Sequence, residues 1–228
     1  MTPSGDQAAL RLCYLFSSLR PCDFDTLVTA SSRMRYGRRT EIFAMGDDAD
    51  GLRIILSGGV RIWISDQDGQ ELTVALLEKG DSFGEIALFD ELPRTASATA
   101  TENTECLYVP RSVADTLLKQ NPDFAKQIIQ ILCETLRRNT KEMSAVMFLN
   151  LEKRLAQKLC DLAFTHARIE DNKACFNRKF SQADLAKMLG VSREAINKRL
   201  TNFAQQGLIE VKGGKLSILD VARLSDFK

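Results

Sequence analysis

Between Thr40 and Val109 apolar and polar residues alternate in short runs, as in Leu52-Arg53-Ile54-Ile55-Leu56 and Val60-Arg61-Ile62-Trp63-Ile64, with glycines at 46, 51, 58, 59, 69, 80 and 84 between them. A period of two interrupted by glycine predicts short antiparallel strands folded into a sandwich or jelly roll. Asp68-Gly69 between two such runs is a strong hairpin signal. Ahead of the strands, Leu10, Leu12, Leu15, Phe16 and Leu19 predict a short amphipathic helix packed on the roll.

After Asn121-Pro122-Asp123 the period changes. Ala125, Ile129, Leu132, Leu136, Asn139, Met143, Val146 and Asn150 recur at alternating steps of four and three, which is a heptad seam. The seam predicts a long helix pairing with a copy of itself, Asn139 setting the register. The alternative is a stripe that packs on its own domain; the dimer ranks ahead of it, because the helix lies between two differently charged halves and would otherwise have to bury a polar seam residue. Phe148-Leu149-Asn150 marks a hinge, and a further helical run extends from Leu151 to Phe164. His166 to Lys179 reads as polar and irregular, with a short strand near Ala174-Cys175-Phe176 and His166 itself as a surface or loop residue.

From Phe180 to Leu200 the sequence reads as two helices around a tight turn. Ser181 is placed to cap the first with Asp184 three residues on, Gly190 suits the positive φ of the turn, and Ser192 caps the second. Leu185, Leu189, Val191, Ile196, Leu200 and Phe203 form the expected shared core. Arg193, Glu194, Asn197, Lys198 and Thr201 then lie on the opposite face, where a helix entering a DNA major groove carries its contacts. Gly207 stops the helix, and Leu208 to Leu219 predicts a hairpin wing. A helical hairpin with a merely solvated charged face is the plainer reading of the same residues; capping serines, outward Arg-Glu and a glycine-tipped wing in one segment favour DNA.

Charge supports that placement. Residues 150–228 hold 15 Lys and Arg against 9 Asp and Glu, a net of +6, whereas residues 1–149 carry −5. No apolar run approaches the ~20 residues of a membrane helix, and the opening MTPSGDQAAL lacks the form of a signal peptide, so a cytoplasmic protein is expected. Six cysteines are scattered without a CxxC pair, which fits reduced thiols rather than disulfides or zinc. With one histidine and unclustered cysteines, no catalytic pair and no metal site is expected, and the chain is read as a non-enzyme.

The densest chemistry lies in Phe83-Gly84-Glu85-Ile86-Ala87-Leu88 and Pro93-Arg94-Thr95-Ala96-Ser97-Ala98. A cyclic nucleotide monophosphate needs a cation for its phosphate, and Arg94 supplies a guanidinium fork. The N–H groups of Ile86 and Ala87, where a short helix starts after Gly84, add donors. Glu85, beside a glycine without a Cβ to obstruct a sugar, offers an acceptor for the ribose 2′-hydroxyl. Thr95 brings a hydroxyl within reach of phosphate or base. Both Glu85 and Arg94 are expected to be reachable from solvent. Each piece alone also fits a surface ion pair and a turn glycine.

Jointly, FGEIAL, a short spacer and PRTASATA resemble the phosphate-binding cassette of cyclic-nucleotide-binding domains. With the long helix and the winged helix-turn-helix they resemble the cyclic-AMP receptor protein branch of the CRP/FNR family of bacterial transcription regulators over nearly the whole chain. The resemblance implies an α+β chain in three parts: a cyclic-nucleotide-binding β jelly roll over 1–122, a dimerisation helix and hinge over 123–149, and a winged helix-turn-helix over 150–228. It implies a homodimer on palindromic promoter DNA, with RNA polymerase as a further partner and no cofactor beyond the allosteric ligand. Ligand residues carried over are Gly84, Glu85, Ile86, Ala87, Arg94 and Thr95, with Asn139 and Thr140 at the positions that contact adenine. DNA residues carried over are Ser181, Ser192, Arg193, Glu194, Asn197, Lys198 and Arg199. Cyclic AMP is the first expectation; an Arg-Thr-Ala cassette also resembles cyclic-GMP sites, which keeps cyclic GMP open. Lys198 stands where the branch has arginine, and a lysine lacks the fork that fixes one guanine edge. Two other readings remain: a nucleotide-binding module whose C-terminal domain contacts protein, and a regulator of this family responding to another effector.

Overall fold

The computed structural model describes residues 10, 13–17, 19–213 and 215–227. They divide between two compact units, Met1–Leu136 and Arg137–Lys228. The first opens with a 3-10 turn at Tyr14–Phe16 and helix α1 (Pro21–Ala30), whose proline sits in the first turn where its missing N–H is harmless. Leu12, part of the expected N-terminal helix, lies outside the described residues.

Eight strands follow: β1 (Ser32–Tyr36), β2 (Glu41–Phe43), β3 (Gly51–Ser57), β4 (Val60–Ser65), β5 (Glu71–Leu77), β6 (Ser82–Phe83), β7 (Ser97–Ala100) and β8 (Thr104–Pro110). They form two four-stranded antiparallel sheets, ordered β1-β8-β3-β6 and β2-β7-β4-β5. Gly69, at φ +76°, turns the β4–β5 hairpin as Asp68-Gly69 predicts. Ile55, Val60, Phe83, Ala98 and Cys106 pack together from both sheets and form the sandwich interior.

The helices close the other face of the first sheet. Leu52 and Ile54 of β3 and Leu107 and Val109 of β8 pack with Phe16, Phe24 and Leu27, and with residues of α3 (Arg111–Gln120) and α4 (Pro122–Phe148). Strand β3 is therefore buried on both faces, which explains why Leu52-Arg53-Ile54-Ile55-Leu56 is nearly continuously apolar. Arg53 interrupts it and is 4% exposed. Helices α1 and α3 and strand β1 were not expected from the sequence. β1 is exposed along most of its length and so carries no alternation to detect.

Helix α4 buries Phe124, Gln127 and Ile128 on its own unit. The heptad positions lie elsewhere: Ile129 is 60% exposed, Leu136 66% and Met143 61%.

In the second unit Asn150 caps α5 (Leu151–His166) by accepting from the Lys153 N–H. The segment expected to be irregular is instead an antiparallel hairpin, β9 (Ala167–Glu170) with β10 (Lys173–Phe176), turned by Asp171 and Asn172 at positive φ. Asp and Asn tolerate that conformation, and this turn chemistry was the overlooked signal. His166 is likewise no surface residue: it ends α5, is 4% exposed and lies 5.8 Å from the Phe180 ring. Helices α6 (Gln182–Leu189) and α7 (Arg193–Gln205) follow, then β11 (Ile209–Lys212), β12 (Lys215–Ile218) and α8 (Val221–Ser225), the sheet order being β11-β12-β10-β9. Leu185, Leu189, Ile196, Leu200 and Phe203 are buried as expected; Val191 is half-buried. The wing turns at Gly213, at φ +59°, and Gly214 lies outside the described residues.

Gly51 pairs with Pro110 across the β3–β8 ladder, and a Cβ there would meet the Val109 carbonyl and lie 2.7 Å from the Tyr108 ring. Gly51→Ala is expected to destabilise the first unit by about 1–3 kcal/mol through overpacking. Urea denaturation followed by fluorescence of Trp63, the only tryptophan, reads that unit alone; an unchanged midpoint would show that the strands separate without cost.

Candidate functional site

The cassette begins where β6 ends. Gly84 turns the chain at φ +84° into α2 (Ile86–Phe89), with Glu85 at its N-cap. The first-turn N–H groups of a helix have no acceptor within it, so those near Ile86 and Ala87 suit an anionic oxygen. Glu85 is half-buried, Ile86 38% exposed, Ala87 buried and Thr95 exposed.

Arg94 departs from expectation. It is 3% exposed rather than open to solvent. Its Nη1 donates to the Gly84 carbonyl at 2.6 Å, and Nη2 donates to Asp50 Oδ1 and to the Gly51 carbonyl, both at 2.7 Å. The guanidinium carbon stands 4.3 Å from the centre of the Phe43 ring, a cation–π distance. Nε is buried without a hydrogen-bond partner. Glycine at 84 is needed twice over, because a Cβ would lie 2.6 Å from Arg94 Nη1 and the backbone is left-handed. The close approach expected there for a sugar is taken by arginine.

Asp50 serves a second buried cation. Arg53 Nη1 and Nη2 donate to its two carboxylate oxygens at 3.1 and 2.9 Å, and Arg53 Nε donates to the Tyr36 hydroxyl at 3.2 Å. Burial pushes the Asp50 carboxyl up, but the hydrogen bonds from Arg53 and the charges of Arg53 and Arg94 outweigh it and hold the group below the usual carboxylate range. For Arg94, burial prevails and, with the charge of Arg53, lowers its value. Asp50 is bonded to both guanidinium groups, and the charge of Glu85 also acts on Arg94; a guanidinium beside the first-turn N–H groups of a helix suits an anion. Asp50, Arg53 and Phe43 were missed in the sequence; the available signal was an arginine inside an apolar strand, which has to be paired when buried.

Asn139 and Thr140 are exposed positions of α4, in the second unit. Three cysteines are buried, and burial pushes the Cys13 and Cys160 thiols up to about 11 and Cys106 to about 12, which disfavours the thiolate there. Among the described residues no group of three or more His, Cys, Asp or Glu is placed to hold a metal ion, and no helix is long and apolar enough to cross a membrane.

The second site is the face of α7. Ser181 and Asp184 form a reciprocal capping box at α6, Gly190 ends that helix at φ +64°, and Ser192 accepts from the Ala195 N–H to cap α7. Arg193, Glu194, Asn197 and Lys198 are exposed. Amide donation at the helix start and the Ser192 hydroxyl hold the Glu194 carboxyl below its ordinary value, so it is an anion at neutral pH. Arg199 differs from its neighbours: it is half-buried, and Nη1 donates back to the Ala195 carbonyl at 3.4 Å. Gln182, unremarked in the sequence, bonds to both Arg193 and Asn197.

Residues 33–121 match the cyclic nucleotide-binding domain, and residues 153–227 match the Crp-like helix-turn-helix domain. The cyclic AMP receptor protein of Thermus thermophilus is 31% identical over 212 residues, covering 93% of this chain and 95% of that protein. The chain belongs to the CRP/FNR family of transcription regulators. A CRP-like cAMP-activated global transcriptional regulator of Mycobacterium tuberculosis is 29% identical over 92% of this chain and 94% of its own length. The c-di-GMP responsive regulator CLP of Xanthomonas campestris shares the fold, at a TM-score of 0.75 and 24% identity over 88% of this chain and 99% of that one. The CRP/FNR family comprises regulators, not enzymes.

In this CRP/FNR regulator Asp50→Asn removes the charge that both buried guanidinium groups share. The expected loss is about 1–2 kcal/mol, the range for a charge-assisted hydrogen bond reduced for the 51% exposure of the Asp50 side chain. Because the folded-state value is depressed, this stabilisation is present above the unfolded value of about 3.9 and is lost as pH falls through the lower folded-state value. Denaturation midpoints of the two proteins, far apart at pH 7 and converging at pH 3, would bear this out; a constant gap contradicts it.

Proposed function

We propose that this protein is a homodimeric, cytoplasmic transcription regulator that binds palindromic duplex DNA when a cyclic nucleotide, cyclic AMP first, occupies the cassette. The observation that carries the reading is the cluster around Arg94, a buried guanidinium held against the Gly84 carbonyl beside Glu85 and the start of α2. A cyclic phosphate carries one negative charge, which suits a guanidinium and the N–H groups of a helix start. In this reading Arg94 exchanges Asp50 for the phosphate, Arg53 keeps Asp50, the N–H groups of Ile86 and Ala87 share the phosphate, and Glu85 takes the ribose hydroxyl. Cyclic GMP is the second ligand, favoured by the exposed Thr95 hydroxyl next to Arg94. Asn139 and Thr140 meet the base from the dimer helix. The parts are a sensor over 1–122, a dimer helix over 123–149 and a DNA-binding domain over 150–228. Ser181 and Ser192 hold phosphates of the duplex, while Arg193, Glu194, Asn197, Lys198 and Arg199 serve the groove and its edges, and RNA polymerase is the onward partner.

Arg94→Ala and Glu85→Ala are each expected to weaken cyclic AMP binding roughly 10- to 150-fold, the equivalent of a lost charge-assisted contact. Titration calorimetry with cyclic AMP and cyclic GMP measures it, with Trp63 fluorescence confirming the fold. Unchanged isotherms for both variants would remove the cassette assignment.

The exposed seam of α4 supports the dimer. Leu132→Glu with Leu136→Glu is expected to give a monomer in analytical ultracentrifugation and to abolish salt-dependent duplex binding at the same time. A wild type that sediments as a monomer at micromolar concentration, or a double variant that stays dimeric, would place the seam's partner elsewhere.

A further inference from the structure

Arg193 and Asn197 stand one helical turn apart on α7, and the side chain of Gln182, the first residue of α6, reaches both. Arg193 Nε donates to Gln182 Oε1 at 3.4 Å, and Gln182 Nε2 donates to Asn197 Oδ1 at 2.8 Å. Gln182 and Asn197 line the same groove of about 250 Å³, with Thr201 and Val211.

Chemistry fixes the order of these bonds. An arginine Nε carries a hydrogen and accepts nothing, so the Gln182 oxygen must face Arg193 and its NH2 must face Asn197. Turning the glutamine amide over would set two donors against each other at Arg193. The Asn197 oxygen is therefore turned toward Gln182 with one of its two lone pairs engaged, and the NH2 is the half of its amide turned away from that bond.

That matters for base reading. Asparagine recognises adenine with both halves of the amide, the oxygen accepting from N6 and the NH2 donating to N7. Held with its oxygen toward Gln182, Asn197 presents its NH2 rather than its oxygen to a base. Guanine offers it two adjacent acceptors, O6 and N7, and thymine offers O4; adenine offers N7 but sets its N6 amino group, a donor, beside the NH2, and cytosine presents only a donor. Arg193 is held through Nε alone, which leaves both Nη groups as the fork for a guanine.

We propose that Gln182 is a positioning residue that holds the NH2 of Asn197, rather than its oxygen, toward the base, so that the base pair facing Asn197 is selected as guanine or thymine and against adenine. The proposal rests on the reading of α7 as a duplex-DNA reader. It goes beyond that reading by assigning a specificity-setting role to a residue of the other helix.

The test is selection of bound sequences from a pool of random duplexes, with cyclic AMP present, for the wild type and three variants. Asn197→Ala should erase preference at one position of each half-site and so identify it. At that position the wild type should prefer guanine or thymine to adenine about fivefold, the lower end of the range for a good base contact. Gln182→Glu keeps size and shape but carries two acceptor oxygens: it still accepts from Arg193, yet must accept from the Asn197 NH2, which turns the Asn197 oxygen toward the base. Adenine should then be preferred by a similar factor, while the guanine read by Arg193 persists. Gln182→Met, which offers no comparable bond to either partner, should tolerate adenine and guanine alike. A merely structural role for Gln182 would lower binding to every sequence and invert nothing. Adenine selected by the wild type at the Asn197 position, no position sensitive to Asn197→Ala, or the same base preference in wild type and Gln182→Glu would each overturn the proposal. A wild type that binds no duplex at all overturns the DNA reading, and the proposal with it.

Discussion

Two buried guanidinium groups, Arg53 and Arg94, share the carboxylate of Asp50, and the conformation of the cassette follows from how their charge is compensated. Charge withdrawn from water has to be compensated, and Asp50 is too exposed and too few to do it alone. The remainder is met by backbone carbonyls at Gly51 and Gly84, by the Tyr36 hydroxyl and by the face of Phe43. Those partners lie on β1, β2, the start of β3 and the turn into α2, so the two arginines tie segments of both sheets to the cassette. Pairs of this kind contribute little net stability compared with apolar packing. Their effect is on geometry: Gly84 cannot move without disturbing Arg94, nor Arg94 without disturbing Asp50.

Much of this architecture could be read from the chain. β3, β4 and the Asp68-Gly69 turn follow from alternation and glycine placement, and the α6–α7 pair from Ser181, Asp184, Gly190 and Ser192, whose caps are local effects contained in a few residues. What escaped was set by tertiary context. β1 is an exposed strand with no apolar face, the β9–β10 hairpin turns on Asp-Asn without a glycine to mark it, and His166 is buried beside an aromatic neighbour, Phe180. For the site, Gly84, Glu85 and Arg94 were identified from residue type and spacing, but the inward turn of Arg94 was not, because Asp50 is 44 residues away and only the sandwich brings it near.

The two ends of the chain handle polar groups differently. In the first unit Arg53 and Arg94 are buried and bonded to a shared carboxylate, so each depends on the other's partners. On α7 the charged and amide groups are exposed, and their directionality comes from short bridges such as those of Gln182. One unit withdraws charge from water; the other holds donors and acceptors in a fixed order at the surface.

The strand order also governs how the chain reaches its fold. β8 lies between β1 and β3, and the ion pair from Arg33 to Glu105 joins residues 72 apart in sequence. The first sheet therefore cannot close until β8 has been synthesised, and a large loop must be brought together before its contacts repay the lost entropy. Pairings in the second unit also reach far along the chain: Asn202 donates to Glu152, 50 residues away, and α5 packs against α8. Until β8 arrives, the edges of β1 and β3 are surfaces exposed to aggregation.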